Sequence, residues 1–404
     1  MLAYFTGTYP SLTETFIKRE ISYLKKNNIP LKIFSVKKAQ GLSFSSSEKK
    51  SIDSNVIFAR PYNVFIGIFA VPYYFVKKPI VFLQSIKLIF GLLKYYSIII
   101  VFKSFVHLYY SLIFSLYIKI FKIKHIHAHF SSACTMALFC NYFENVTFSF
   151  TVHASGDIYV NPILIDEKIN RASFVVADIN YNKEYLNLIT DYKYNKKIVI
   201  VHNGVIVEDK FNYDINKNKT IELLSIGSFT YFKGFDTLIK AVSMLKKIDL
   251  DFHLNIIGDG AQRSVIEKLV NIECLEDKIS LLGALPNDQI KSYNKKADIF
   301  ILPSVIYVNG MRDGIPTVCA EAMGACLPVI STYISGIPDL IQSGVSGLLV
   351  PEKSPKDLFN AIKELIENPE LRNRYAINGY ETVFKYFNKE KTNKELLELL
   401  NGYI

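Results

Sequence analysis

The segment D-G-I-P-T-V-C-A-E-A-M-G, Asp313 to Gly324, holds two carboxylates with seven residues between them and no other charge. Pro316 suits the first turn of a helix, and Asp313 stands just before that turn. Amides at a helix start, including those of Thr317 and Val318, have no partner within the helix and can hold a phosphate. Glu321 falls inside the helix, among Val318, Cys319, Ala320, Ala322 and Met323. A carboxylate in such surroundings requires hydrogen-bond donors, and sugar or ribose hydroxyls are suitable ones. Plainer readings stand beside these: Asp313 as a helix cap, Glu321 as an exposed surface acid. Lys233, in T-Y-F-K-G-F-D, opens another helix. It offers a point charge to a diphosphate, or is simply a solvated lysine.

His153 follows the apolar run F-S-F-T-V and precedes Ala154-Ser155-Gly156-Asp157, which makes it a strand-end histidine. His125, His127 and His129 alternate in H-I-H-A-H-F, on one face of an extended strand. Such a row suggests a metal, but no nearby carboxylate in the sequence completes a ligand set, so no metal site is expected. Asp249-Leu250-Asp251 has the form of a metal–nucleotide motif. It lies at a helix-to-strand junction, on the edge opposite the expected crevice, and reads as coincidence. Gly258-x-Gly260 falls short of the dinucleotide fingerprint, because Gln262-Arg263 supplies no third glycine.

These residues are carried by an alternation of strands and helices. L-A-Y-F-T reads as a strand closed by Gly7, and S-L-T-E-T-F-I-K-R-E-I-S-Y-L as a helix with a capping box of Ser11 and Glu14. L-K-I-F-S-V, H-I-H-A-H-F, V-T-F-S-F-T-V-H, S-F-V-V-A-D and K-I-V-I-V-H-N-G read as further strands. A polar stretch, D-K-F-N-Y-D-I-N-K-N-K-T, reads as a linker. A second series follows, from I-E-L-L-S-I-G to L-P-V-I-S-T. Apolar strands alternating with helices indicate parallel sheets covered on both faces. Two such series predict two doubly wound α/β domains, with ligand bound at the carboxyl ends of the strands. Gly227, Lys233-Gly234, Gly258, Gly283 and Asp313 to Pro316 all fall on that edge.

The chain has 404 residues, half of them apolar and 21% charged, with a formal charge of +10. That is globular composition. Its basic residues are dispersed among large aliphatics rather than gathered in a polar patch, which argues against nucleic acid. Five cysteines without a C-x-x-C pair predict a reducing compartment. The first residues lack a basic region followed by a sustained apolar run, so no signal peptide is expected. From about residue 62 to 124 the chain is rich in aliphatics, Tyr, Phe and Lys. Lys77, Lys78, Lys87, Lys94, Lys103 and Lys119 break up its apolar windows. It reads either as buried helices or as helices lying in a membrane interface with snorkelling lysines, and the two are compatible.

Taken together, S-I-G-S-F-T-Y-F-K-G-F-D-T-L-I-K-A, I-I-G-D-G-A-Q-R, L-L-G-A-L-P-N-D-Q-I, A-D-I-F-I-L-P-S and D-G-I-P-T-V-C-A-E-A-M-G-A-C-L-P-V-I-S-T resemble, in order, the retaining glycosyltransferases of family 4, the group 1 transferases of GT-B fold. Y-P-S-L-T-E-T-F-I-K-R-E-I and T-V-H-A-S-G-D-I are similar to the subgroup that builds exopolysaccharides such as colanic acid. The resemblance implies Rossmann-like domains at 1–207 and 208–385, with a last helix at 386–404 that could pack back on the first domain. It implies transfer, with retention and without a metal or other cofactor, from a UDP-, GDP- or other nucleoside-diphosphate sugar to a lipid-linked saccharide. The reaction would take place at the cytoplasmic face of an anionic membrane.

By the same resemblance His153 and Asp313 would be catalytic. Lys233, Gly314, Ile315, Pro316, Thr317, Glu321, Gly227, Ser228, Gly258 and Leu285 would bind the donor, with Lys233 on the diphosphate and Glu321 on the ribose. Gly7, Thr8 and Glu14 would form the acceptor-side loop. Two positions depart from the family pattern: Asp313 stands for the first Glu of the E-x7-E pair, and Ser228 for an arginine. Arg263, Arg312 or Lys296 could restore that charge. A sugar-nucleotide epimerase of this fold and a non-catalytic scaffold are the alternatives.

Overall fold

A computed structural model describes residues 1–10, 15–38, 55–60, 62–153, 156–207 and 220–404. The expected capping box at Ser11 and Glu14, Ala154-Ser155 and nearly all of the expected linker lie outside these residues.

Two all-parallel sheets organise the chain. The first contains β1 (Leu2–Tyr9), β2 (Leu31–Lys38), β3 (Val56–Phe58), β4 (His125–His129), β5 (Thr147–Val152), β6 (Val175–Ala177) and β7 (Ile198–Ile200), in the order β3-β2-β1-β4-β5-β6-β7. The second contains β8 (Ile221–Ile226), β9 (Phe252–Ile257), β10 (Ile279–Gly283), β11 (Ile299–Ile301), β12 (Val329–Thr332) and β13 (Leu348–Val350), in the order β10-β9-β8-β11-β12-β13. Both are doubly wound, as the alternation predicts. The edge strand β3 was not foreseen. Three residues after a serine-rich stretch carry too little periodicity to read.

Period two sorts each strand between two cores. In β4, Ile126 and Ala128 join Phe148, Phe150 and Val152 of β5 on one face, over the helix Phe130–Glu144. Leu2 and Tyr4 of β1 join Ile33 of β2 on the other, beneath the helix Thr15–Lys26. The last helix, Lys389–Asn401, crosses back to this second face, where Leu396 and Leu400 are buried and Tyr403 stacks on His125.

The basic aromatic region forms helices Gly67–Lys77, Pro79–Gly91 and Ile98–Ile120. Ala70, Tyr74, Ile89 and Leu108 pack in a satellite core against Phe139 and Phe143. Ile98–Ile120 is long and apolar enough to cross a membrane, but half of its most apolar window is buried inside the protein.

Candidate active site

The second domain builds its part of the site from turns that follow strands. After β8 the chain makes a short helical turn, Tyr231–Lys233, and Gly234 enters the helix Phe235–Lys247 at φ +69°. A Cβ at Gly234 would lie 1.9 Å from the Pro303 carbonyl oxygen, so glycine alone fits where these two loops meet. The Lys233 stem lies over Gly227, whose added Cβ would be 3.5 Å from the lysine Cδ. Its ammonium reaches Asp313, 2.9 Å from Oδ1 and 3.0 Å from Oδ2. Ser304 Oγ donates to Asp313 Oδ2 at 2.7 Å. The lysine and the acid are both nearly buried. Thus two of the predicted site residues meet, and they neutralise each other. Gly258 also belongs to this junction, because a Cβ there would lie 1.8 Å from Gly227 O. Ser228 is exposed beside the loop.

Gly314 is fixed by a bond from Gly336 N to its carbonyl at 3.1 Å, and Ile315 packs on the second-domain core. Pro316 is the cap rather than the first turn, and the helix spans Thr317–Gly324. Leu285, after β10, is half-buried against the same core. Cys319, Ala320, Ala322 and Met323 of the helix are buried. Glu321 is half-buried, and its partner is one the sequence did not suggest: Arg19 Nη2 of the first domain lies 2.5 Å from Glu321 Oε1. Arg19 Nη1 also donates to Gly204 O at 2.9 Å. These residues stand 302 positions apart, and nothing in a single sequence connects them.

In the first domain, His153 caps β5 at the carboxyl edge, with Gly7 and Thr8 near the same end of β1. Glu14 lies outside the described residues. The three β4 histidines are fully buried. His125 meets the Thr147 and Ser149 hydroxyls at 2.8 Å, and His127 meets Ser149 at 2.8 Å and Thr151 at 3.0 Å. This ladder follows from the parallel register, which sets His127 beside Ser149. Desolvation holds His125 down at about pKa 4 and His127 well below the usual imidazole range.

The expectation that no nearby carboxylate completes a set with these histidines is corrected. Glu20, on the helix Thr15–Lys26, places Oε2 3.1 Å from His129 Nε2. Glu20, His127 and His129 offer ligand atoms within 4.8 Å of one another. Both His127 nitrogens are already engaged by hydroxyls, which fits a hydrogen-bond ladder better than a metal cage.

The carboxyl ends of the two sheets face each other. Tyr159, after β5, lies under the Arg312 guanidinium, with Cζ 4.0 Å from the ring centroid. Tyr181 N, after β6, donates to Asp339 at 3.1 Å, and Ile179 lies against Gly336. Of the three cations considered for the place of the missing arginine, Arg263 is taken by Glu267 at 2.8 Å and Asp259 at 3.5 Å. Lys296 ends the helix that leads into the amino end of β11, away from the cleft. Arg312 stands beside Asp313, and its buried Nε has no hydrogen-bond partner among the described residues. Asp249-Leu250-Asp251 leads into the amino end of β9, on the far edge, where Asp251 accepts from Thr220.

The family described as glycosyl transferases group 1 matches residues 205–382. A colanic acid biosynthesis glycosyltransferase of Salmonella typhimurium, designated putative, is 34% identical over 182 residues, 45% of each chain, so the match spans under half of that relative. The solved structure of HepE from Anabaena, in complex with UDP and glucose, superposes with TM-score 0.67 over 99% of both chains at 15% identity, which shows the shared GT-B fold. An uncharacterized glycosyltransferase of Methanocaldococcus jannaschii is 32% identical over 268 residues, 65% of this chain and 70% of that one. With its facing parallel sheets and with Asp313 and Glu321 before and within the helix Thr317–Gly324, the chain belongs to the group 1 glycosyltransferase family.

Proposed function

We propose that this protein is a retaining glycosyltransferase that moves a sugar from a nucleoside-diphosphate sugar to a lipid-linked saccharide during exopolysaccharide synthesis. The observation that carries this reading is the meeting of Lys233 and Asp313 at the mouth of the helix Thr317–Gly324, on an edge that faces the first domain. A leaving diphosphate there would find the Lys233 ammonium and the first helix amides, whose dipoles favour negative charge. Arg312 would supply the cation that Ser228 does not. Glu321 would take the ribose hydroxyls, exchanging them for Arg19. His153 would meet the donor sugar from the opposite domain. Closure of the domains would exclude water and protect the activated sugar from hydrolysis. The UDP in the HepE structure and the colanic acid role in the name of the Salmonella relative support the donor and the pathway class.

The same reading sets the protein on the inner face of the cytoplasmic membrane. No Asp or Glu occurs between Asp53 and Glu144. Phe69, Val76 and Ile80 on the aromatic helices are each at least 70% exposed, and Lys77, Lys87, Lys94 and Lys103 lie exposed among such residues. Apolar side chains rimmed by lysines and free of acids suit an anionic lipid surface.

The test is incubation with a panel of nucleoside-diphosphate sugars, with and without membrane lipid extract, while nucleotide release is measured. Release that depends on lipid supports transfer. An altered sugar still joined to its nucleotide indicates epimerisation, and absence of all binding overturns the proposal.

A further inference from the structure

Two tyrosines stand stacked at the rim of the cleft, on loops that follow paired strands. Tyr231, after β8, and Tyr307, after β11, have ring centroids 4.7 Å apart and planes 14° from parallel. Their backbones hold them there. Val305 N donates to Phe232 O at 2.8 Å and ties the two loops together. Ile306 N donates to Glu352 Oε2 at 2.7 Å, and Ile306 O accepts from Lys353 Nζ at 2.8 Å. Tyr307 N donates to Met311 O at 2.9 Å and Gly310 N to Tyr307 O at 2.8 Å, which closes a turn. Tyr307 is half-buried, whereas Tyr231 is 55% exposed. Neither phenol has a hydrogen-bond partner among the described residues.

A single exposed tyrosine is ordinary surface. A fixed pair is a flat apolar plate with polar tips at its edge, and little entropy remains to be lost when a ligand settles on it. A pyranose is the complement of such a plate, with faces of C–H groups and a rim of hydroxyls. A nucleobase also stacks on aromatic rings, and position separates the two. In the function proposed above the diphosphate lies at Lys233 and the ribose at Glu321, one turn into the helix Thr317–Gly324. The base then falls towards the cavity that Glu321 shares with Ile290, Asn294 and Gly324, at the other end of that helix from the Lys233–Asp313 pair. The tyrosines precede Lys233 and Asp313 in their loops. The turn that carries Tyr307 reaches the first domain instead: a Cβ at Gly310 would lie 3.9 Å from Tyr159 O, and the Arg312 guanidinium lies over the Tyr159 ring. The same reading gives the first domain the acceptor.

We propose that Tyr231, backed by Tyr307, is a stacking subsite for a pyranose ring of the saccharide acceptor. That the ring belongs to the acceptor rests on the function proposed above. That the plate takes a pyranose does not, and it is read without transfer.

The experiment measures transfer by the full chain while nucleoside-diphosphate sugar and membrane lipid extract are varied in turn. Tyr231→Ala should raise the KM for the lipid-borne acceptor at least fivefold and leave the KM for the nucleotide sugar and the affinity for the bare nucleoside diphosphate unchanged. Tyr231→Phe, which keeps the ring and drops the phenol, should restore the wild-type KM, and Tyr231→Leu should not. An acceptor KM indifferent to Tyr231→Ala, or weakened binding of the bare nucleoside diphosphate, overturns the proposal. The chain contains no tryptophan, so Tyr231→Trp supplies a single fluorophore at the plate. Its emission should shift and saturate with methyl glucoside, methyl galactoside or methyl fucoside and stay unmoved by glycerol, which has hydroxyls but no ring. Emission indifferent to every pyranoside overturns the subsite. A saturable response in a protein that transfers no sugar overturns the function instead and leaves the pyranose subsite standing.

Discussion

The Lys233 ammonium sits astride the Asp313 carboxylate, 2.9 and 3.0 Å from its two oxygens, in a nearly buried pair. A diphosphate arriving at Lys233 must share that cation with Asp313. Removing the acid while keeping its shape, in Asp313→Asn, should therefore tighten binding of a bare nucleoside diphosphate several-fold while slowing sugar transfer. Lys233→Ala should weaken nucleotide binding at least tenfold. It should also cost about 3 kcal/mol of stability, because the carboxylate is left buried with only Ser304 as partner. Calorimetric titration and thermal unfolding read both. Weaker nucleotide binding in Asp313→Asn would contradict the shared-cation account.

Arg19 ties the two domains together through Glu321, while its other nitrogen holds Gly204 at the end of its own domain. Arg19→Ala should loosen the nucleotide-free protein, seen as a larger radius of gyration in small-angle scattering. Glu321→Ala should loosen it equally and in addition weaken nucleotide binding by an order of magnitude. If the two variants behave identically toward nucleotide, Glu321 acts as a domain latch and not as a ribose ligand.

Acid should unfold the first domain before the second. His125 is neutral in the folded protein down to about pH 4, whereas the unfolded chain takes up the proton near pH 6.5. The unfolded state therefore binds more protons between those values, and stability falls as pH drops through that window. The loss from His125 is roughly 3 kcal/mol, and His127 adds to it in the same direction. His125→Gln should flatten the dependence of unfolding temperature on pH between 6.5 and 4. An unchanged slope would show that His125 does not carry it.

The exposed aromatic helices should bind vesicles containing anionic phospholipid. Replacing Phe69 and Phe102 by serine should abolish co-flotation. Replacing Lys87, Lys94 and Lys103 by glutamine should weaken it by roughly 1 kcal/mol for each charge. Co-flotation of the serine variant at wild-type level would remove this face from the membrane.

Strand and helix alternation, the two-domain plan and the loops that carry Lys233, Asp313 and His153 were all legible in the sequence. Each depends on local burial, which repeats every two or 3.6 residues and so writes itself into a short stretch of chain. What tertiary structure alone decided is who touches whom at the cleft. Lys233 meets Asp313 across 80 positions, Arg19 meets Glu321 across 302, and Glu20 arrives beside the β4 histidines from another helix. A polar group brought out of water needs a partner, but its own residue type does not say which one. The parallel register and the packing of helices over the sheet make that choice, by bringing distant carboxylates, imidazoles and cations within hydrogen-bond reach.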